Sequence, residues 1–378
     1  MGRRRELHAR GGRDQGVAAA AGGDAGDARA SVGGAALSTQ RTTSWWRRPD
    51  GSEGAAAARR KRLFVIAARL LFLGGAFGLL GWQLAGDVSG AIRAVREIGV
   101  PAVVGSFLAA AAGLGASGLA WRSLLRGVGA PLRVQPAARI FFIGQIGKYI
   151  PGTVWAYVAQ AKLGREHGVP VSRTTAASAL FVVAHCATGA VVAGFVLPFT
   201  SAASFDRFGW VTLLAPLLLA ALHPRLVLPV LRLMHRVLGR GTPPQRVSGS
   251  AVLSALGWLS VTWLGYGTSM LLLLAPVVRE DSKALLPAFA LGGFALAWTV
   301  GFLAAGFLVV TPAGLGVREF VLLALLGPVV ASGGAVAAVV LLSRVVHTLS
   351  DGAWALLGTG LRVPEEAGYP SDHHPVSP

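Results

Sequence analysis

Residues 144–155 read Gly-Gln-Ile-Gly-Lys-Tyr-Ile-Pro-Gly-Thr-Val-Trp, and the predicted architecture follows from this stretch. It lies at the centre of an apolar segment, about 137–163, that also contains Lys148 and Pro151-Gly152. A helix that spans the bilayer core needs ~20 apolar residues. A proline in its interior removes a backbone hydrogen bond and breaks the helix. The sequence therefore predicts a broken helix. The alternation of loop charge described below holds only if this segment is a hairpin that enters and leaves the membrane on the same, inner side.

A second apolar segment carries a similar break. Residues 285–327 are too many for one spanning helix, and Thr-Pro-Ala-Gly-Leu-Gly interrupts them at 311–316. Non-helical backbone at membrane depth is tolerated where protein or a watery cavity satisfies its polar groups. We expect a second re-entrant hairpin here. The alternative is that both breaks are proline kinks in ordinary spanning helices.

The composition defines the class of protein. Of the 378 residues, 53% are hydrophobic and 14% are charged, with a mean hydropathy of +0.58. These values exclude a disordered chain and a soluble globular protein, and they indicate a polytopic membrane protein. The single cysteine, Cys186, excludes an internal disulfide and a cysteine-based metal site. We expect no metal and no cofactor.

The chain divides into a tail, a membrane body and a second tail. Residues 1–62 are rich in Ala, Gly and Arg and poor in large apolar residues, so we expect a disordered basic cytoplasmic tail. Residues 63–360 form the membrane domain, and 361–378 are a short polar tail. The apolar segments are about 63–86, 100–121, 137–163, 173–197, 205–222, 250–275, 285–327 and 334–360.

Charge between the segments predicts the topology. One set of loops has twelve Lys or Arg and one acid: 122–139, 162–173 and 225–246. The other set has five basic and five acidic residues: 87–97, 206–207 and 279–283. Loops rich in Lys and Arg stay cytoplasmic. This predicts an all-α protein of the cell (inner) membrane with six spanning helices, two re-entrant hairpins and both termini in the cytoplasm.

The order of segments repeats. Residues 63–197 and 205–360 each contain a span, a span, a hairpin and a span. Because three spans are an odd number, the second half is predicted to be inverted relative to the first. Inverted repeats with broken helices are typical of transporters that bind substrate where the breaks meet.

Three motifs resemble a known family. They are residues 144–155, Gly-Arg-Glu-His-Gly-Val-Pro at 164–170, and Thr-Pro-Ala-Gly-Leu-Gly-Val-Arg-Glu at 311–319. They resemble the flippase-like transmembrane domain of lysylphosphatidylglycerol synthases, including its stand-alone members, over about residues 63–360. The resemblance implies translocation between leaflets of an anionic or aminoacylated phospholipid, or of a lipid-linked envelope precursor. Where the family places a Glu-Arg pair, this chain has Ala184-His185-Cys186. Only 361–378 follow the last segment, so we expect no aminoacyl-transfer domain and no enzymatic activity.

The two breaks supply candidate lipid-binding residues. A half-helix that starts after a break presents free backbone N–H groups and a positive dipole end to a phosphate. Lys148 would add a charge, although it could also extend to the headgroups. Arg318 would bind phosphate, and Glu319 suits a helix start. The candidates at the breaks are Gln145, Lys148, Pro151, Gly152, Thr153, Pro312, Gly314, Gly316, Arg318 and Glu319.

The last apolar segment contributes a polar stripe. Arg344, His347, Thr348 and Asp351 have helical spacing and share one face. Such residues in a membrane helix face protein or water. Arg344, His347 and Asp351 are therefore candidates for headgroup binding or proton transfer, the alternative being an ion pair between helices. For His185 we expect a hydrogen-bonded packing residue.

Other readings of the sequence remain open. One is a polyprenyl-phosphate-sugar-dependent glycosyltransferase with Asp87 as catalytic base, and another is a non-catalytic scaffold for a cell-envelope enzyme.

Gly113-Leu114-Gly115-Ala116-Ser117-Gly118 matches a dinucleotide-binding fingerprint, but no strand precedes it, so it indicates close helix packing. We expect anionic inner-leaflet lipids at the basic residues 59–62 and no nucleic acid partner. Gly74 and Gly78 are compatible with a homodimer or with internal packing.

Overall fold

The fold is seen in a computed structural model of the chain. Within the described residues the chain is helical and contains no β-strand, only an isolated bridge between Val278 and Val330. The structure describes residues 59–60, 74, 78, 81–82, 85–150, 154–196, 206, 210–223, 226, 228–229, 232, 246–308 and 314–360.

The described residues form nine α-helices of at least 10 residues, numbered in chain order. They are α1 Val88–Gly127, α2 Val134–Gln145, α3 Trp155–Glu166, α4 Val171–Val196, α5 Trp210–Ala221, α6 Gly249–Leu274, α7 Phe294–Leu308, α8 Val317–Leu326 and α9 Gly333–Gly360. A 3-10 turn, Ile146–Tyr149, follows α2. Before α7 the chain forms a 3-10 turn Glu280–Leu285, a short helical turn Leu286–Ala288 and a π-helical turn Phe289–Gly293.

Five helical stretches are long and apolar enough to cross a membrane. They are Val88–Gly127, Val171–Val196, Gly249–Leu274, Glu280–Leu303 and Gly333–Gly360. The predicted class is confirmed: the chain is an all-helical, multi-pass integral membrane protein in the part that the structure describes. Most of the predicted first segment, 63–86, lies outside the described residues.

The prediction of a loop over residues 87–97 is wrong. Helix α1 begins at Val88 because the Asp87 carboxylate accepts a hydrogen bond from Gly90 N at 2.9 Å, which caps the first turn. The helix changes direction at Gly99, whose φ of 65° is outside the helical range, just before Pro101. The helix therefore begins about twelve residues before the predicted apolar segment 100–121, at a cap formed by the Asp87 side chain.

Helices α1 and α6 pack antiparallel over their length. Ser106 Oγ lies 2.8 Å from Ser269 Oγ near one end, and Gly127 packs against Ala251 at the other. Between these two contacts, a Cβ added at Gly113 would lie only 2.9 Å from the carbonyl oxygen of Thr262. Small residues that let helix backbones approach are common in membrane proteins. The glycines at 113–118 thus serve helix packing, as predicted.

The first broken pair, α2 and α3, folds back on itself. The 3-10 turn that follows α2 ends at Tyr149, because the next residue, Ile150, precedes Pro151. A following proline favours the extended conformation that Ile150 has (φ −82°, ψ 131°). Gly144 faces the Gln160 side chain and Gly147 faces the Ala156 backbone, so the two helices run antiparallel. The break lies where the sequence predicted it.

The second broken pair, α7 and α8, is also antiparallel. A Cβ at Gly301 would lie 3.2 Å from Arg318 Cβ, and one at Gly293 would lie 3.6 Å from Leu325 Cδ1. The chain segments that lead into and out of this pair meet, since Arg279 N donates a hydrogen bond to Val329 O at 2.9 Å. This pair therefore starts and finishes at one end of the molecule.

The connections cluster at two opposite ends. At one end, Ser248 N donates to Gly127 O at 3.0 Å, and Arg173 Nη1 donates to Gly129 O. At the other end, Gly334 N donates to Asp87 Oδ2 at 3.1 Å. The first end carries basic connections, which include Arg133 and Arg173, and the C-terminal end of α9. The second end carries connections in which acidic and basic residues balance, which include Arg279, Asp281 and Lys283.

Each broken pair packs against the last helix of the opposite half of the chain. In the first pair, Phe142 stacks on Trp354 of α9 with ring centroids 4.4 Å apart. In the second pair, Trp298 lies 4.2 Å from His185 of α4, between ring centroids. Both broken pairs thereby reach the centre of the molecule.

Candidate functional site

A cavity of about 300 Å³ lies between the two broken pairs. Helices α1, α4, α6 and α9 complete its walls. Seven of the residues proposed from sequence line it: Gln145, Lys148, Gly314, Arg318, Arg344, His347 and Asp351. The breaks and the polar stripe of the last helix therefore meet at one place.

Lys148 is held by the last helix. Its Nζ lies 2.7 Å from Asp351 Oδ2 and donates to Oδ1 at 2.8 Å, while Tyr149 Oη donates to Oδ2 at 2.6 Å. The ammonium is thus paired with a carboxylate of another helix. The ion pair between helices, which the sequence left open for Asp351, is present.

Arg344 and Glu319 form a second ion pair to α9. Arg344 Nη1 lies 3.2 Å from Glu319 Oε1, and Gly316 N donates to Glu319 Oε2 at 2.6 Å. Glu319 therefore caps the start of α8, as its position in the first turn predicted, and also ties α8 to α9. Gly316 has a φ of 90° and Gly314 a φ of 68°, conformations that favour glycine at this turn.

Arg318 is the cation of the cavity that has no carboxylate partner among the described residues. Its side chain is buried, and Nη2 donates to Ser343 Oγ at 3.3 Å. The guanidinium carbon lies 4.8 Å from the Phe294 ring centroid, a cation–π contact. Its Nε has no hydrogen-bond partner within the described part of the chain.

Histidines line the cavity from two sides. His347 Nδ1 lies 2.8 Å from Ser343 O, and its Nε2 has no partner among the described residues. His185 is buried between Trp298 and Trp263, and neither ring nitrogen has a partner there. His185 packs as expected, but the expectation that it is hydrogen-bonded is wrong, because aromatic carbons surround the ring.

Four proposed residues, Pro151, Gly152, Thr153 and Pro312, lie outside the described residues. The structure also adds lining residues that the sequence analysis missed: Tyr149, Tyr157, Gln160, Tyr266 and Trp298. Tyr149 adjoins Lys148 and Gln160 is a polar residue in an apolar segment, signals that could have identified both. No group of three or more His, Cys, Asp or Glu in the described ranges is arranged to hold a metal.

Asp87, the proposed base of the glycosyltransferase alternative, does not line this cavity and lies where α1 and α9 begin. Its two carboxylate oxygens accept backbone N–H groups from Gly90 and Gly334. A hydrogen bond from Ser332, together with these two, holds the pKa of Asp87 below its ordinary value. The carboxylate therefore joins the starts of α1 and α9.

No family model and no curated protein matches the chain. Fold and cavity define its class as a helical, multi-pass membrane protein with a cavity that apolar, aromatic and charged side chains line. Three cations and one carboxylate line this cavity, with Glu319 behind Arg344. Among the described residues, the two ion pairs leave the positive charge of Arg318 without a carboxylate partner. Such an arrangement can bind an anion.

Proposed function

We propose that this protein moves a lipid with an anionic, phosphate-bearing headgroup between the leaflets of the cell membrane. The phosphate would bind at Arg318, and the substrate would be a phospholipid or a lipid-linked envelope precursor. The observation that carries the proposal is the buried guanidinium of Arg318, which faces a cavity and has no carboxylate partner among the described residues. The motif resemblance to flippase-like domains agrees with it.

The energetics of a buried cation favour an anionic ligand. Removing a charge from water costs several kcal/mol unless a counter-charge and hydrogen bonds offset it. Arg318 has one hydrogen bond to Ser343 and a cation–π contact, and its Nε–H remains available. A guanidinium binds phosphate through two parallel hydrogen bonds, which matches this unused capacity.

Several contacts support two re-entrant hairpins. In each broken pair the helices are antiparallel, and the ends of the second pair meet at the bridge between Val278 and Val330. The ends of the first pair are near Gly129 and Arg173, which are in contact. In our proposal both pairs dip into the bilayer and return to the side from which they came, leaving six spanning helices.

The packing also supports an inverted repeat. Helices α1 and α6 hold the same place in the two halves of the chain, and they run antiparallel. Each broken pair contacts the last helix of the other half, α9 or α4. We propose that the halves rock about the cavity and expose it to each leaflet in turn, as in transporters built from inverted repeats.

The distribution of charge sets the proposed orientation. The end of the molecule with Gly127, Arg173 and Ser248 carries the basic connections, so it would face the cytoplasm. The C-terminal end of α9 lies there too, because Arg139 Nη1 donates to Thr359 O at 3.3 Å. Both termini would then be cytoplasmic.

Asp87 weighs against the glycosyltransferase alternative. A catalytic base needs a carboxylate oxygen free to accept a proton from the substrate. Both Asp87 oxygens accept backbone hydrogen bonds within the protein, at 2.9 and 3.1 Å. This geometry suits a structural cap.

A leaflet-resolved transport assay tests the proposal. The purified chain would be reconstituted into liposomes with fluorescent phosphatidic acid, phosphatidylglycerol or phosphatidylcholine. We expect faster exchange of the anionic lipids than in protein-free liposomes, and loss of most of this acceleration in Arg318→Gln. Arg93→Gln, which changes an exposed arginine, is the matched control and should transport as the wild type does. Transport of no anionic lipid, or full transport by Arg318→Gln, would overturn the proposal.

A further inference from the structure

His185 is a buried polar side chain that faces the cavity with unused hydrogen-bonding groups. It is 2% exposed, it lines the cavity, and both Nδ1 and Nε2 lack a partner among the described residues. A neutral imidazole offers one donor and one acceptor. Buried polar groups in native proteins are nearly always paired, and each exception calls for an explanation. A ligand that brings hydrogen-bonding groups would provide one.

Aromatic side chains pack around His185. The ring centroids of Trp298 and Phe181 lie 4.2 and 5.4 Å away, and both residues line the cavity. Gln160 also lines the cavity, accepts a hydrogen bond from Ser178 Oγ at 2.6 Å, and has an amide NH₂ group that can donate. This part of the cavity thus combines aromatic faces with neutral donors and acceptors.

Arg318 and His185 pack against two rings of the same helix, α7. The guanidinium rests on Phe294 and His185 rests on Trp298. These rings are four residues apart on α7, which is about 6 Å along the helix axis. A phosphate at Arg318 would therefore place the next chemical group of the headgroup beside His185.

We infer that the cavity has a second subsite, formed by His185, Gln160 and Trp298, for an uncharged, hydroxyl-bearing ring attached to the phosphate of the transported lipid. The inference rests on the proposed function and names its substrate class: a lipid whose headgroup is a sugar or cyclic polyol. Hydroxyl groups pair with neutral donors and acceptors, and the apolar face of the ring packs on Trp298. An aminoacyl ammonium would instead enter a cavity that already holds Lys148, Arg318 and Arg344.

Binding to two anionic lipids tests the inference. The full chain in phosphatidylcholine nanodiscs would be titrated with phosphatidylinositol, which has a hydroxylated ring, and with phosphatidic acid, which has none. We expect phosphatidylinositol to bind more tightly by roughly tenfold, the factor that one or two hydrogen bonds provide. His185→Phe should remove this preference and leave the affinity for phosphatidic acid unchanged.

Three further variants make the outcomes distinguishable. His167→Phe changes a histidine at the end of α3, away from the cavity, and should bind as the wild type does. Gln160→Met should lose the same preference, which gives a second test if His185→Phe fails to fold. Arg318→Gln should weaken both lipids.

Equal binding of the two lipids by the wild type would overturn the subsite, while the proposed function would stand if Arg318→Gln still weakened both. Retention of the preference in both His185→Phe and Gln160→Met would also overturn it. If neither lipid binds the wild type, the proposed function fails together with the subsite. Tighter binding of lysylphosphatidylglycerol than of phosphatidylinositol would assign the cavity to an aminoacylated headgroup instead.

Discussion

Lys148 Nζ lies 2.7 Å from Asp351 Oδ2, and this ion pair joins the break after α2 to the last helix. Seven residues earlier on α9, Arg344 makes the corresponding contact with Glu319 at the start of α8. The two positions are about 10 Å apart along the helix axis and share a face. Helix α9 therefore holds both broken pairs in place around the cavity.

The Lys148–Asp351 pair should contribute to stability. Asp351 is nearly buried, and Asp351→Asn leaves the ammonium of Lys148 without its counter-charge. In a double-mutant cycle with Lys148→Met, we expect a coupling energy of about 1–3 kcal/mol in the free energy of unfolding, measured in mixed micelles. The exposed pair Lys283–Glu280 has the same 2.7 Å separation and is the control, with about 0.2–1 kcal/mol expected. Equal coupling in the two pairs would contradict the role of burial.

The proposed re-entrant hairpins predict from which side of the membrane each end of a hairpin can be labelled. In a Cys186→Ser background, we expect single cysteines at the exposed positions Arg133 and Arg165 to react with an impermeant thiol reagent from the cytoplasmic side. Cysteines at Asp281 and Ala331 should both react from the outer side. Labelling of positions 133 and 165 from opposite sides would establish an ordinary kinked span in place of the first hairpin.

Substitution of Gly314 should lower the stability of the protein. Its φ of 68° is left-handed, and an added Cβ would lie 3.3 Å from the backbone of Gly301. Because this conformation costs a residue with a Cβ about 1–2 kcal/mol, we expect Gly314→Ala to destabilise the protein by at least that amount. Gly352→Ala is the control, since nothing lies within 4 Å there and alanine favours a helix by up to about 1 kcal/mol. Thermal unfolding in detergent compares the two, and equal midpoints would refute the prediction.

Asp87 should make stability depend on pH in the acid range. Hydrogen bonds from Ser332, Gly90 and Gly334 lower its pKa in the folded state. Its contribution is therefore fully present above the unfolded pKa of about 3.9 and is lost as the pH falls through the lower folded value. We expect Asp87→Asn to lower the Tm at pH 7 and to show a smaller further loss on acidification to about pH 3. Glu97→Gln, at an exposed position, should follow the wild type, and an unchanged acid response in Asp87→Asn would disprove the assignment.

Local sequence was sufficient to predict where the helices break. The extended conformation of Ile150 follows from the adjacent proline, and the turn at Gly314 and Gly316 follows from the freedom of glycine. The start of α1 could not be predicted in this way. Its first turn is less apolar than the rest, and the Asp87 cap also depends on Gly334, which lies 247 residues further along the chain.

The amino-acid sequence is enough to assign a helical membrane protein, because hydropathy and the spacing of apolar segments are local properties that add along the chain. It also assigns Arg318 and the polar stripe of the last helix to the membrane body. The pairing of the cavity residues depends on the fold: Lys148 pairs with Asp351, whereas Arg318 has no carboxylate partner and His185 no hydrogen-bond partner among the described residues. The partners of a buried polar group lie on helices that are distant in sequence, and packing brings them within hydrogen-bonding distance.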